Sequence, residues 1–346
     1  MNTALNKQDH SEPKIVVIGG GTGLSVLLRG LKHYTKNITA IVTVADDGGS
    51  SGKLRRELGI LPPGDFRNCI AALANDEDLM TQLFQYRFRD GSGLEGHSFG
   101  NLFITAMAEV TGSFEEALYE SGRILQIQGA ILPSTLEDIK LCAELDEGSQ
   151  TRKVQGESAI PEAMLPIERV YLQPDEPQAF PPALQALLNA DLIVAGPGSL
   201  YTSILPNLLV SEIAHAIRTS QAKKVYICNV ATQPGETDNY TLEDHVQAIE
   251  AHTHFVDDIY KLNEGESLTG NQLPKGYLFD FVLANNNLDF PIPDSMSHLQ
   301  AVLPPHANSQ GYTVILADVV DNMYPWRHDF VKLANQLMGW YKTIRQ

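Results

Sequence analysis

The sequence predicts an α/β fold, a Rossmann-like doubly wound, mostly parallel sheet with a β-hairpin insertion. Three observations predict it. The β-branched run Lys14-Ile15-Val16-Val17-Ile18 leads directly into the glycine turn Gly19-Gly20-Gly21-Thr22-Gly23. Apolar residues then recur at helical spacing (Leu24, Leu27, Leu28, Leu31), and a second buried-type strand follows at 38–45, which makes a βαβ unit with a right-handed crossover. The alternation returns at 190–251, and apolar strands separated by helices belong to a parallel sheet covered on both faces.

The elements follow in order. Residues 1–12 read as a disordered tail, and 13–346 as a single α/β domain. Helical stretches are expected near 68–88, 100–111 and 113–127. Residues 131–173 are polar and β-rich and read as an inserted hairpin, with 146–157 as its exposed loop. A proline-rich connector at 173–182 leads to a helix at 183–189. Beyond it come a strand at 190–195, a helix at 208–217, a strand at 224–230 and a helix at 242–251. Residues 285–311 read as a long loop with a short helix, and the chain closes with a helix over 330–343.

Composition excludes several functions. With 25 Lys+Arg against 42 Asp+Glu, the 346 residues carry a formal charge of −17. Wrapping a nucleic acid or docking on anionic lipid needs clustered cations, so neither is expected. No apolar run has the length of a membrane span, and the start lacks the apolar stretch of a signal peptide, so a cytoplasmic protein without membrane insertion is expected. Cys69, Cys142 and Cys228 are far apart and odd in number, and read as small buried hydrophobes.

Two loops carry the same chemistry. At Gly19–Gly23 a strand end, a glycine turn and a helix N-terminus leave N–H groups aimed at one spot, where the helix dipole adds positive potential. Gly20, Gly21, Thr22 and Gly23 are therefore candidate phosphate contacts. Leu24 stands where a dinucleotide fingerprint has its third glycine, and no Lys-Ser/Thr follows as in a Walker loop. Gly196-Pro197-Gly198-Ser199 repeats the arrangement beyond a later strand. Two such loops flank a topological switch point, where open α/β sheets bind ligands. Asn229 and Thr232, at the end of the next strand, and Gln233-Pro234-Gly235-Glu236-Thr237 after them would form the far wall of the cleft.

Other motifs surround these loops. Asp46-Asp47-Gly48-Gly49-Ser50-Ser51 follows the second strand, where an acid commonly accepts ribose hydroxyls; Asp46 and Asp47 could also hold Mg²⁺ together with ligand phosphates. In Pro62-Pro63-Gly64-Asp65-Phe66-Arg67, Asp65 reads as a helix cap. Arg67 falls in the first turn, where a cation opposes the dipole unless an anion faces it. In Gly96-His97-Ser98-Phe99-Gly100-Asn101, His97 could serve as a base and Ser98 as a cap. His252 and His254 point apart on a helix and read as structural. Asp329 reads as a cap of the last helix, and Arg327 as a cation reaching back to the cleft.

Taken together and in this order, GGGTG, DDGGSSG, PPGDFRNC, GHSFGNL, GPGSLYTSILPNL and NVATQPGETDNYTLEDH resemble the bacterial gluconeogenesis-factor (YvcK-like) family, a relative of the CofD-like 2-phospho-L-lactate transferases. The likeness is strong from Lys14 to His254 and looser beyond, where 258–312 departs from the family's usual appearance. It implies a cytoplasmic, Rossmann-like regulatory factor that binds UDP-sugars such as UDP-N-acetylglucosamine and acts in gluconeogenic growth, cell shape and envelope control. It implies as the alternative a Mg²⁺-dependent transfer of a phospholactyl group to a deazaflavin. Carried over by motif, Gly20, Gly21, Thr22 and Gly23 would meet the nucleotide phosphates, with Asp46, Asp47, Ser50 and Ser51 beside them. Asn101, Gly198 and Ser199 would complete the cleft, and Arg327 would close it. A homodimer and an unidentified regulatory protein partner are expected. Asp46 and Asp47 would be catalytic only in a transferase.

Overall fold

The computed structural model describes residues 12–74, 79–89, 91, 93–263, 276–304 and 311–345, with side chains left aside over 254–263. The expected tail and the GESLTGNQLPKG stretch lie outside the described residues, save Glu12 and Gly276.

The chain first builds β1 (Ile15–Gly19), α1 (Gly21–Leu31) and β2 (Ile38–Val42), as the βαβ pattern predicts. Helices α2 (Gly49–Leu58), α3 (Gly64–Leu73), α4 (Leu79–Gln85), α5 (Phe99–Thr111) and α6 (Phe114–Ile124) precede β3 (Ala130–Pro133). The stretch expected as helical over 68–88 is thus α3 and α4. A small sheet of β4 (Lys140–Asp146), β5 (Thr151–Gln155) and β6 (Ile167–Gln173) follows, with the single turn α7 (Ala159–Glu162) inside it. After α8 (Pro181–Leu188) and β7 (Leu192–Ala195), a π-helical turn (Leu200–Ile204) runs into α9 (Leu205–Leu208) and α10 (Ser211–Thr219). The chain then passes through β8 (Lys223–Ile227), α11 (Leu242–Asn263), β9 (Phe281–Asn285), β10 (Thr313–Ala317) and α12 (Phe330–Arg345).

The main sheet has seven strands in the order β10-β9-β8-β7-β1-β2-β3, and every neighbouring pair is parallel. From β1 the chain winds outward through β2 to β3, then returns to the other side of β1 with β7 and winds outward again to β10. The reversal between β1 and β7 is the switch point. Its strands are fully apolar and buried, Ile15–Ile18 against Leu192–Ala195, because helices cover both faces.

Two differences from the sequence reading have local causes. Within the expected insertion, β3 instead pairs with β2 and forms the edge of the main sheet, so the small sheet begins at β4. The expected loop 146–157 contains β5, whose Thr151–Gln155 pair antiparallel with β4; its exposed polar face reads as loop because only one side is covered. Strands β9 and β10 complete the far half of the sheet and were not foreseen. The three cysteines are free and buried, as expected. Among the described residues no helix is long and apolar enough to cross a membrane.

Candidate functional site

Both glycine loops leave the carboxyl ends of adjacent parallel strands, β1 and β7. Gly21 opens α1 with a φ of +63°, a conformation that costs an L side chain about 1 kcal/mol. Gly23 lies on the second loop: a Cβ there would stand 2.7 Å from the Pro197 carbonyl carbon and 2.8 Å from Gly198 Cα. Only glycine allows that approach. Asn207 ties the two loops from below, donating through Nδ2 to the Gly19 and Ser203 carbonyls at 3.0 and 2.8 Å. Thr22 is exposed at the rim, and its carbonyl accepts the Ser25 hydroxyl.

Carboxylates line the cleft on the β2 side. Asp46 Oδ1 accepts the Gly48 N–H at 2.9 Å, and its carboxylate is also hydrogen-bonded by Ser51. Asp65 is not the expected cap. Pro62-Pro63 starts α3 at Gly64, so Asp65 falls inside the first turn and its carboxylate accepts the Gly21 N–H. Burial, and then the charge of Asp46, push Asp65 up to about 7. Asp46 is itself raised by burial. Asp47 turns away from Asp46 to the small sheet, where its Oδ1 accepts the Ser158 N–H at 3.0 Å and the Ser158 hydroxyl at 2.8 Å. That clamp carries Glu157 toward the cleft. Burial and the charges of Asp46, Asp65, Asp47 and Glu236 push Glu157 up to about 8.

The second loop has its own supports. Asn229 Nδ2 donates to the Gly198 carbonyl at 2.9 Å and Gln233 Nε2 donates to Ser199 Oγ at 2.7 Å, so Asn229 holds this loop in shape. Glu236 accepts the Tyr201 N–H and the Thr202 hydroxyl at the π-helical turn, and burial pushes it up to about 7. On the opposite flank Asn101 Nδ2 donates to Ser50 Oγ at 3.0 Å, and Ser50 Oγ lies 2.9 Å from His97 Nδ1. Ser98 caps α5 as expected, accepting the Asn101 N–H. Arg67 is buried, and its Nη2 donates to Asn68 Oδ1.

The structure therefore gathers Gly20–Gly23, Gly198, Ser199, Asp46 and Ser51 around the switch point and joins Ser50 to Asn101. Asp47 and Arg327 have other surroundings. Arg327 is exposed between β10 and α12, its guanidinium 5.8 Å from the Tyr324 ring centroid, and β10 is four places from β1 in the sheet. Asp329 caps α12 through the Val331 and Lys332 N–H groups. His252 accepts the Val170 N–H, a structural role as expected, while the side chain of His254 lies outside the described residues.

The sequence does not mark Asp65, Glu157 and Asn207 as site residues, although Asp65 and Asn207 fall within the PPGDFRN and GPGSLYTSILPNL motifs; Glu236 belongs to the 233–237 stretch expected on the far wall of the cleft. Among the described residues no group of three or more His, Cys, Asp or Glu is arranged to hold a metal ion.

A profile of the family described as 2-phospho-L-lactate transferase CofD matches residues 15–320. The gluconeogenesis factor of Bacillus subtilis (strain 168) is 55% identical over 241 residues, 70% of this chain and 75% of its own. A protein of Nostoc sp. (strain PCC 7120) is 51% identical over 340 residues, 95% of this chain and 69% of its own. The crystal structure of a UPF0052 family protein from Bacillus halodurans superposes with a TM-score of 0.82 at 42% identity, covering 95% of this chain and 99% of that one.

Proposed function

This chain belongs to the CofD family, alongside the gluconeogenesis factors, and from that premise we propose that its switch-point cleft binds the diphosphate of a nucleotide-sugar of the UDP-N-acetylglucosamine type. The protein then serves as a regulatory factor linked to gluconeogenic growth. The observation that carries the reading is the contact of Gly23 with Pro197 and Gly198, which puts two amide-rich loops side by side at one end of the sheet. Main-chain N–H groups and the α1 N-terminus supply the positive potential that an acidic chain otherwise lacks. In this reading Asp46, beyond the carboxyl end of β2, accepts ribose hydroxyls. In the same reading the protein works in the cytoplasm, on cell shape and envelope, through a homodimer or a regulatory protein partner, and Arg327 would close the cleft.

Calorimetric titration with UDP-N-acetylglucosamine tests this directly. The expected result is saturable binding that Gly21→Ala weakens at least ten-fold. Absence of heat at millimolar ligand, with folded protein, removes the proposal.

A second reading, Mg²⁺-dependent 2-phospho-L-lactate transfer, is favoured by the match to the CofD profile. The mutual repulsion of Asp46 and Asp65 fits a cation near them, with ligand phosphates completing the donor set. Bound there, Mg²⁺ would neutralise phosphate charge. Absence of turnover of phospholactyl-guanosine diphosphate with deazaflavin, and absence of a Mg²⁺ effect on nucleotide affinity, would remove this reading.

A further inference from the structure

Beside the glycine loops, the N-termini of α2 and α5 come together. Ser50 on the first turn of α2 is hydrogen-bonded by Asn101 on the first turn of α5, and His97 just ahead of α5 reaches the same hydroxyl. Three cations converge here in a chain of charge −17. Arg67 runs along the start of α5, where a Cβ on Gly100 would stand 2.8 and 2.9 Å from its Cγ and Cδ. Arg87 Nη1 donates to the Gly96 carbonyl at 3.4 Å, and Lys53 Nζ comes within 4.0 Å of where a Cβ on Gly96 would be.

Arg67 supplies the independent sign of a ligand. It is 7% exposed, yet its Nε has no hydrogen-bond partner. A buried guanidinium donor without an acceptor costs free energy, so such groups are nearly always satisfied by protein, water or ligand. Burial and the facing charge of Arg87 both lower the affinity of Arg67 for its proton, while Asp65 and Asp46 raise it without hydrogen-bonding Nε. An additional anion would satisfy Nε and relieve the Arg67–Arg87 repulsion together.

We infer that the junction between the N-termini of α2 and α5 is a second anion subsite, which takes a compact oxyanion, phosphate or carboxylate, on Arg67 with Arg87, Lys53 and His97 around it. The inference deepens the proposed function and rests on the cleft being a ligand site. The ligand then carries two anionic parts, a diphosphate on the glycine loops and a second group held by side chains, or two anionic ligands bind side by side. The division of labour is chemical: backbone amides suit a phosphate pressed against glycine, whereas a guanidinium fork suits a planar or tetrahedral oxyanion.

The test follows the His97 ring resonances by NMR on the full chain while inorganic phosphate, and in a separate arm acetate, is added. Saturable movement with either anion supports the subsite, and the responding arm identifies phosphate or carboxylate as its preference. Arg87→Gln and Lys53→Gln alter exposed side chains and should fold normally; each should raise the midpoint about five-fold. Arg67→Met should abolish the response. Gly21→Ala should leave the midpoint unchanged. No saturation with either anion at tens of millimolar, or an unchanged midpoint in all three cation variants, overturns the inference. Loss of the response in Gly21→Ala alone places the anion on the glycine loops, which sinks this subsite and leaves the nucleotide-sugar reading standing. Saturation here with no heat from UDP-N-acetylglucosamine does the reverse.

Discussion

Gly23 and Pro197 touch across the switch point: a Cβ on Gly23 would stand 2.7 Å from the Pro197 carbonyl carbon. The residues are far apart in sequence, yet the contact aligns the two loops that form the cleft. Gly23→Ala should therefore push the loops apart. The expected cost is about 2 kcal/mol, typical of overpacking against backbone that cannot yield, read as a lower denaturation midpoint with an unchanged m-value. Gly21→Ala should cost about 1 kcal/mol from its left-handed conformation, with a larger loss of nucleotide affinity than of stability.

Asn207 should matter more than its place in a helix suggests. Its Nδ2 serves two buried carbonyls, at Gly19 and Ser203. Asn207→Ala leaves the Gly19 carbonyl without that donor, at a cost of about 2 kcal/mol in urea unfolding. Asn207→Asp should be worse, since it sets a carboxylate against the same carbonyls.

The small sheet is fastened to the main one through Asp47 and Ser158, which are 111 residues apart. Asp47→Ala should release residues 156–158 while the main sheet stays folded. Hydrogen exchange is the suitable measurement: faster exchange confined to this turn and β5 is expected, with the amides of β1 and β7 unchanged. Global acceleration would contradict a local clamp.

Stability should fall as pH rises toward 8. Asp65 and Glu236 are raised to about 7 and Glu157 to about 8, from about 4 in an unfolded chain. The folded state therefore keeps protons that the unfolded chain has released. The stabilisation from these groups is complete below about pH 4 and is lost as pH climbs through 7 to 8. Glu157→Gln removes one of these groups and should raise Tm at pH 8 by roughly 2 °C, with little change at pH 5. An equal gain at both pH values would show that titration of Glu157 is not the cause.

His328 lies beside the carboxyl end of β8, its Nε2 3.2 Å from the Cys228 carbonyl, and burial pushes it down to about 4. Because the folded value lies below the unfolded one, this group costs stability as pH falls through about 6.5 toward 4. His328→Gln should flatten that acid limb in thermal unfolding. An unchanged limb would assign the acid sensitivity to other groups.

By itself the sequence determined the βαβ start, both glycine loops and the parallel character of the sheet. Those signals are local: β-branched runs, glycines at strand ends and apolar residues at helical spacing act over a few residues. The small sheet was legible only as a polar, β-rich stretch, and β9 and β10 were missed, because their partners set them. The tertiary structure decided which carboxylates meet. Asp65 looked like a cap until Pro62-Pro63 moved the start of α3 and turned it to the Gly21 N–H. Glu157 reaches the cleft only because Ser158 binds Asp47. Local backbone preference cannot encode such a meeting; it arises from the packing of segments distant in sequence, and burial then shifts the protonation of the groups brought together.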